Sequence, residues 1–367
     1  MTFKTINFRF FKSAMLFSLL LILALASCSK KDSTPPPPPP DKTALQAKVT
    51  AAQSLYDLSV EGTKPNQFEA GSKASFLVIL AAAKVVLADP NATQAAITNA
   101  TAQLDAAMAT FNTHRINEIA AASLIGFWKM NGNANDSSGN NNNAVVTVGH
   151  AFYGAGTPTL VADRFGRANS AYHFDKGGNL DVPYKPSLNP QQMSISLWAK
   201  WSGTGRTVNA DTYTFVALNR WNGYKFQLQS GHLPFYTVKV VKGTAVGDTT
   251  IYDRDDAGIA IAENTWAHVV VTFKSGEMNF YINGDLVKSW NSTLTSGKVP
   301  GNAFTLPNPI DFIIGQDLPT SKYLTVDGDY QVAWGGFFTG DMDDVMFYNV
   351  ALDGPQVKSI NTNQKTL

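Results

Sequence analysis

The chain has 367 residues, with 29 Lys+Arg against 28 Asp+Glu and only 16% charged residues. So even a balance lacks the concentrated basic footprint that nucleic-acid binding requires, and a single cysteine excludes an intramolecular disulfide or a thiolate metal centre. The length suits two domains, with ample chain for a substantial core.

The first element is a leader. Lys4, Arg9 and Lys12 precede an apolar run from Ala14 to Ala26, which ends in small residues. These are the three parts of a secretory signal, and the run is short of the ~20 residues that span a bilayer. Leu25-Ala26-Ser27-Cys28 resembles the bacterial lipobox. That resemblance implies loss of residues 1–27 and diacylation of Cys28, the new N-terminus. Setting 1–27 aside leaves 26 basic against 28 acidic residues. Residues 28–42 read as a linker containing six prolines, Pro35 to Pro40, which as a polyproline helix would extend ~19 Å. Ser29 in place of aspartate resembles the outer-membrane default. Lys30-Lys31-Asp32 resembles the surface-export tags of Bacteroidota lipoproteins, without their acidic pair. The expected location is the outer membrane, lipid-anchored and facing the exterior.

Residues 43–120 are alanine-rich and helix-periodic. Leu45, Val49, Ala52 and Tyr56 fall on one helical face, as do Phe76, Leu80, Ala83 and Leu87. Ile97, Thr101, Leu104, Met108 and Phe111 nearly repeat the spacing. Glu61 to Asn66 and Asp89-Pro90 interrupt the pattern, and Asn91 with Gln94 predicts a capping box for the third helix. Three such helices form an antiparallel bundle. Glu61-Gly62-Thr63 leading to Gln67-Phe68, with Asn91-Ala92-Thr93-Gln94 later, resembles the FIVAR-type three-helix repeats of bacterial surface proteins. The resemblance implies a stalk or spacer, with Phe68, Phe76 and Phe111 in its core.

Beyond Ser123 the pattern changes to short alternating runs between Gly, Asn, Asp and Pro. Strands are predicted at 193–199, 215–218, 224–228, 268–273, 278–282 and 345–348, with Asn283-Gly284 as a type I′ hairpin turn. Many short strands imply an antiparallel β-sandwich or jelly roll. Gly126 to Asn140, Trp266 to Phe273, Tyr281-Ile282-Asn283-Gly284 and Phe338 to Asn349 stand in the order found in laminin-G-like, concanavalin A-like lectin domains, which this region resembles. Ala351 to Val357 resembles the group's short terminal helix, with Asp353 and Gln356 spaced as a capping box. The expected fold is therefore multidomain, α then β: a small three-helix bundle, then a concanavalin A-like sandwich over 123–363.

The resemblance also implies a structural Ca2+ where the first and last strands meet, with Asp343 as one ligand and Asp136 as a second contributor. The alternative is that Asp136 organises an Asx-type turn and Asp343 caps a strand beside an exposed Asp344. His268 is expected to pack rather than react. The enzymatic relatives carry a Glu-x-Asp-x-x-Glu strand. Here the sandwich has only Glu263 and Glu277, and neither begins that pattern. Asp253, Asp255 and Asp256, like Asp327 and Asp329, read as solvated loops.

Sugar binding needs exposed aromatic platforms beside amides and carboxylates. Trp201, Trp221, Tyr252, Tyr330 and Trp334 adjoin polar or Gly-rich stretches and are the candidates. Trp128, Trp198 and Trp266 belong to strand motifs and are assigned to the core. The favoured function is a non-catalytic surface lipoprotein that binds glycan. An adhesin or scaffold binding protein is the alternative, and a divergent glycosidase the third.

Overall fold

The computed structural model describes residues 38–204, 206, 212–242, 247–255, 258–291, 301–326 and 328–365. Cys28, the leader, most of the linker, Asp256 and Asp327 lie outside the described residues. Three helices come first: α1 (Thr43–Leu58), α2 (Ser72–Ala88) and α3 (Gln94–Thr113). Their periodic faces meet as predicted, with Leu45, Ala52, Leu80 and Leu104 fully buried. Phe111 is the centre of this core, stacked on Phe68 at 4.3 Å and on Phe76 at 4.7 Å between ring centroids. The third helix starts differently from the sequence expectation. Thr93, not Asn91, is the N-cap, its hydroxyl accepting from Ala96 N–H at 3.2 Å, while Gln94 reaches Asp41 instead.

Among the described residues, fifteen strands follow. They are β1 (Leu124–Trp128), β2 (Val145–Thr147), β3 (Thr159–Val161), β4 (Ala171–Phe174), β5 (Asn179–Val182), β6 (Met193–Trp201), β7 (Thr212–Leu218) and β8 (Tyr224–Gln229). The rest are β9 (Leu233–Val241), β10 (Thr249–Asp255), β11 (Ala267–Lys274), β12 (Glu277–Ile282), β13 (Asp285–Asn291), β14 (Phe312–Ile314) and β15 (Gly340–Tyr348), closed by helix α4 (Gly354–Gln364). They form two antiparallel sheets. One runs β13-β12-β11-β6-β15-β4-β3 with β1 also on β15; the other runs β10-β9-β8-β7-β14-β5-β2. The expected architecture, a three-helix bundle followed by an antiparallel sandwich, is the one observed.

Period-two alternation builds the core between the sheets. Ile195, Leu197, Val269, Val271, Phe226, Tyr236, Phe280 and Phe347 all point inward and are fully buried. Asn283 and Gly284 both take positive φ, 54° and 86°, the conformation a type I′ turn requires. Asp353 and Gln356 form the expected capping box on α4. Trp128 is in the core between the sheets, Trp198 is buried on the outer face against His268 and Gln364 of α4, and Trp266 lies just ahead of β11, half-buried, with the Lys200 ammonium 5.4 Å from its ring. Asp253 and Asp255 belong to the edge strand β10, not to a loop.

The bundle rests against α4. Ser359 Oγ donates to Thr63 O at 2.6 Å and Asn117 Nδ2 donates to Asp353 at 2.9 Å. Among the described residues no helix is long and apolar enough to cross a membrane.

Candidate functional site

Three of the five aromatic candidates come together at one end of the seven-stranded sheet. Between β7 and β8 the chain reverses through Asn219 and Arg220, both left-handed at φ 59° and 47°, and then presents Trp221. Gly223 ends this turn so close beneath the Leu218 carbonyl that no Cβ fits. Trp334 stands opposite on the long loop between β14 and β15, 56% exposed, its ring 6.1 Å from that of Trp221 and tilted by 45°. Tyr330, on the same loop, donates its hydroxyl to Asn219 Oδ1 at 2.7 Å. Asn222 and Asp329 sit alongside, joined at 3.3 Å.

One side chain holds this assembly. Arg220 is fully buried and pairs through Nε with Asp317 Oδ2 at 2.8 Å, while its Nη1 donates to the carbonyls of Asp329 at 2.7 Å and Gln331 at 3.1 Å. Tyr323 also donates to Asp317. Beneath the loop, Tyr153, Leu318, Tyr323, Val332 and Phe337 make a small second core, and Tyr153 O–H closes it on Val332 O at 2.6 Å. Aromatic packing and a buried ion pair thus fix the loop.

Next to the tryptophans the sheet's outer face is polar. Tyr224, Phe226 and Leu228 of β8 point into the core, so Lys225, Gln227 and Gln229 point outward. Lys225 lies in register with Thr237 of β9, and Thr237 with Asp253 of β10, one row across three strands. On the other side the row runs through Ala217 and Ile313 to Asp181. Lys225 is only 7% exposed, with its ammonium 5.5 Å from the Trp221 ring. Burial pulls its pKa down, and the charges of Asp317 and Asp253 partly offset this. Thr237 Oγ1 is buried without a hydrogen-bond partner among the described residues. At the far end of the row, burial and then the neighbouring Asp311 push the Asp181 carboxyl up to about 6.

The other two aromatic candidates are structural. Trp201 is 6% exposed, stacks on His232 at 3.8 Å and donates Nε1 to Ile261 O at 2.8 Å. Tyr252 is 8% exposed and points into the sandwich, with Arg254 held 3.9 Å over its ring. Alternation in β6 and β10 turns both rings inward, so neither can serve as a sugar platform.

The two aspartates assigned to calcium share no partner. Asp136 Oδ1 accepts from the N–H groups of Phe127 and Ser138, and Oδ2 from Asn142 N–H and the Ser138 hydroxyl. Burial raises its pKa, but these donors together hold it below the usual range. That is the Asx-type turn. Asp343 pairs with Arg164, which also holds Asp344 at 2.7 Å; Asp344 is buried in a bulge of β15 rather than exposed. A calcium ion takes six to eight oxygens, and here a guanidinium fills the place of a cation. The donors as placed do not fit the ion. Among the described residues no group of three or more His, Cys, Asp or Glu is placed to hold a metal.

His268 is fully buried, with Nε2 at 2.8 Å from Ser196 Oγ and its ring against Trp198. Sequence reasoning missed Arg220, Lys225 and Asp317. The available signal was alternation in Tyr224-Lys225-Phe226-Gln227-Leu228, which places a lysine mid-strand on a sheet face.

Residues 174–358 match the Laminin_G_3 family model, described as the concanavalin A-like lectin/glucanases superfamily. The chain belongs to this superfamily. The concanavalin A-like domain extends beyond the matched residues, because β1 pairs with β15 along Leu124 to Trp128. No curated relative matches the sequence. Among solved structures the chain is similar to domain 4 of AbnA, a GH43 extracellular arabinanase from Geobacillus stearothermophilus, in complex with arabinotriose. Identity is 20%, with 65% of this chain and 98% of that one covered and a TM-score of 0.44. It is also similar to the binding domain of Paraclostridial Mosquitocidal Protein 1 (18% identity, 66% and 53% covered, TM-score 0.43). A third is the botulinum neurotoxin serotype D ligand binding domain in complex with N-acetylneuraminic acid (18%, 66% and 52%, 0.41). The chain spans about half the length of the two toxin domains.

Proposed function

We propose that the concanavalin A-like domain is a non-catalytic glycan-binding module, displayed on the cell exterior by a lipid on Cys28. The Trp221–Trp334 pair carries this reading. An indole that is more than half exposed yet fixed by a buried ion pair has no evident packing role, and apolar faces beside hydrogen-bonding groups suit a sugar ring. Trp334 and Trp221 would stack on the ring's C–H faces, while Asn222, Asp329 and Tyr330 would bond its hydroxyls. The helical bundle serves as a spacer between linker and sandwich.

Catalysis is not part of the proposal. Glycosidases set two carboxyl groups on either side of the scissile bond, ~5 to 9.5 Å apart. Asp181 feels the charge of the neighbouring Asp311, but Ala217 and Ile313 separate it from Lys225 and the tryptophans along the row. Asp311 is also engaged by Tyr184 N–H at 2.7 Å. The test is retardation of the mature protein in native gels containing polysaccharides, together with a broad glycan array. Retention lost in Trp334→Ala supports the reading. No retention by any polysaccharide overturns it.

A further inference from the structure

Two lysines stand beside the tryptophan pair without an acidic partner. Lys225 and Lys239 both project from the outer face of the seven-stranded sheet, since Lys239 lies two residues beyond Thr237 on β9. Lys239 Nζ reaches Asn222 Oδ1 at 3.4 Å and lies 5.3 Å from the Phe304 ring. Among the described residues neither lysine has a carboxylate within ion-pair distance. The nearby acid Asp317 is committed to Arg220 and Tyr323, and Asp253 is exposed on the edge strand. A buried ammonium with no carboxylate in direct contact is costly, and the more distant charges of Asp317 and Asp253 offset that cost only in part. Thr237 beside it adds an unpaired buried hydroxyl.

Resting on the glycan reading, we infer that the site selects a negatively charged sugar, whose carboxylate or sulfate ester meets the Lys225 ammonium while the ring stacks on Trp221 and Trp334. A neutral hydroxyl would satisfy one N–H but leave the charge uncompensated. An anion supplies both, and the low-dielectric surroundings strengthen the contact. Burial depresses the Lys225 pKa in the free protein, as such an unpaired floor requires. Lys239 adds a second positive charge at the rim of the site.

The experiment uses the mature chain from Cys28 onward, without its lipid. Affinity gels contain alginate and polygalacturonate with their carboxyl-reduced forms, carrageenan with its desulfated form, and laminarin, xylan and arabinan as neutral polymers. The variants are Lys225→Met and Lys239→Gln. At least one charged polymer is expected to retard the protein, and removing that polymer's charge weakens retention at least tenfold. Lys225→Met loses the same factor while unfolding at an equal or higher denaturant midpoint, because an unpaired buried charge has gone. A midpoint that falls sharply, with charged-polymer binding intact, marks Lys225 as structural and overturns the inference. So does equal retention by charged and neutral forms, or unchanged binding in Lys225→Met. Alginate and carrageenan distinguish a carboxylate from a sulfate ligand. Failure of every polymer, neutral ones included, overturns the glycan reading itself rather than the preference for charge.

Discussion

Arg220 Nε lies 2.8 Å from Asp317 Oδ2 with both side chains sealed from solvent, and this pair joins the turn that carries Trp221 to the loop that carries Trp334. Breaking a buried pair from one side leaves an uncompensated charge and costs about 3–5 kcal/mol. Arg220→Met should therefore lower unfolding stability by that order, read from urea curves, and abolish polysaccharide retention. Adding Asp317→Asn should restore part of the stability but not the binding, because the Asp329 and Gln331 carbonyls still lack their donor. Strictly additive losses in the double variant would show that the pair does not act as a unit.

Trp334 separates binding from folding. Its ring is 56% exposed, so Trp334→Ala removes little buried surface and should shift stability by less than about 1 kcal/mol. If it is a central sugar platform, the loss of affinity should reach about 2 kcal/mol, near thirtyfold. Trp221→Ala should weaken binding similarly but cost more stability, because that ring is half-buried and packs on the Arg220 guanidinium, 5.2 Å away. Glycan retention that survives both substitutions would move the site elsewhere on the sandwich.

The sequence made these tryptophans candidates but could not choose between them and Trp201 or Tyr252. All four adjoin polar segments, and the difference lies in which way β6 and β10 turn their side chains. The helices and the central strands were legible because their periodicity coincides with burial, as in Leu45-Val49-Ala52 and in Ile195-Leu197. The site was less legible because it is built by a loop with no periodicity. Arg220 gathers Asp317, Asp329 and Gln331 across about a hundred residues of chain, and no local pattern encodes that convergence. Asp343 shows the converse. Its place in the Phe338 to Asn349 segment made it the expected calcium ligand, yet Arg164, far off in sequence, occupies its carboxylate.

The pH dependence of stability should carry two opposed contributions. Burial, then the charges of Arg164 and Lys365, pull the His268 pKa from 6.5 down to about 3. The unfolded chain takes up that proton first. This contribution is therefore present above about pH 6.5 and is lost as pH falls toward 3. Burial and then Asp344 push the Asp343 carboxyl from 3.8 up to about 7, against the opposing pull of Arg164. Its contribution is present below about pH 3.8 and is lost as pH rises through 7. Urea unfolding of His268→Gln should show a shallower fall on the acid side. The stability difference between Asp343→Asn and the parent should move in the variant's favour as pH rises from about 4 to about 8. Curves parallel to the parent over that whole range would refute both assignments.

The bundle and the sandwich have separate hydrophobic cores, joined through polar contacts between Thr63, Asn117 and helix α4. Phe111 stacks on both Phe68 and Phe76 and is the most deeply buried of the three rings. Phe111→Ala removes both contacts and leaves a cavity, a change that costs about 3–5 kcal/mol in well-packed cores. A small three-helix module has little stability to spare, so it should unfold at a clearly lower temperature in this variant. The sandwich shares none of that core and should melt as before, turning one calorimetric transition into two. Polysaccharide retention measured between the two transitions should match the parent protein, because Trp221 and Trp334 stand on the sandwich alone. Loss of retention together with the bundle would give the helices a part in binding and would refute the spacer assignment.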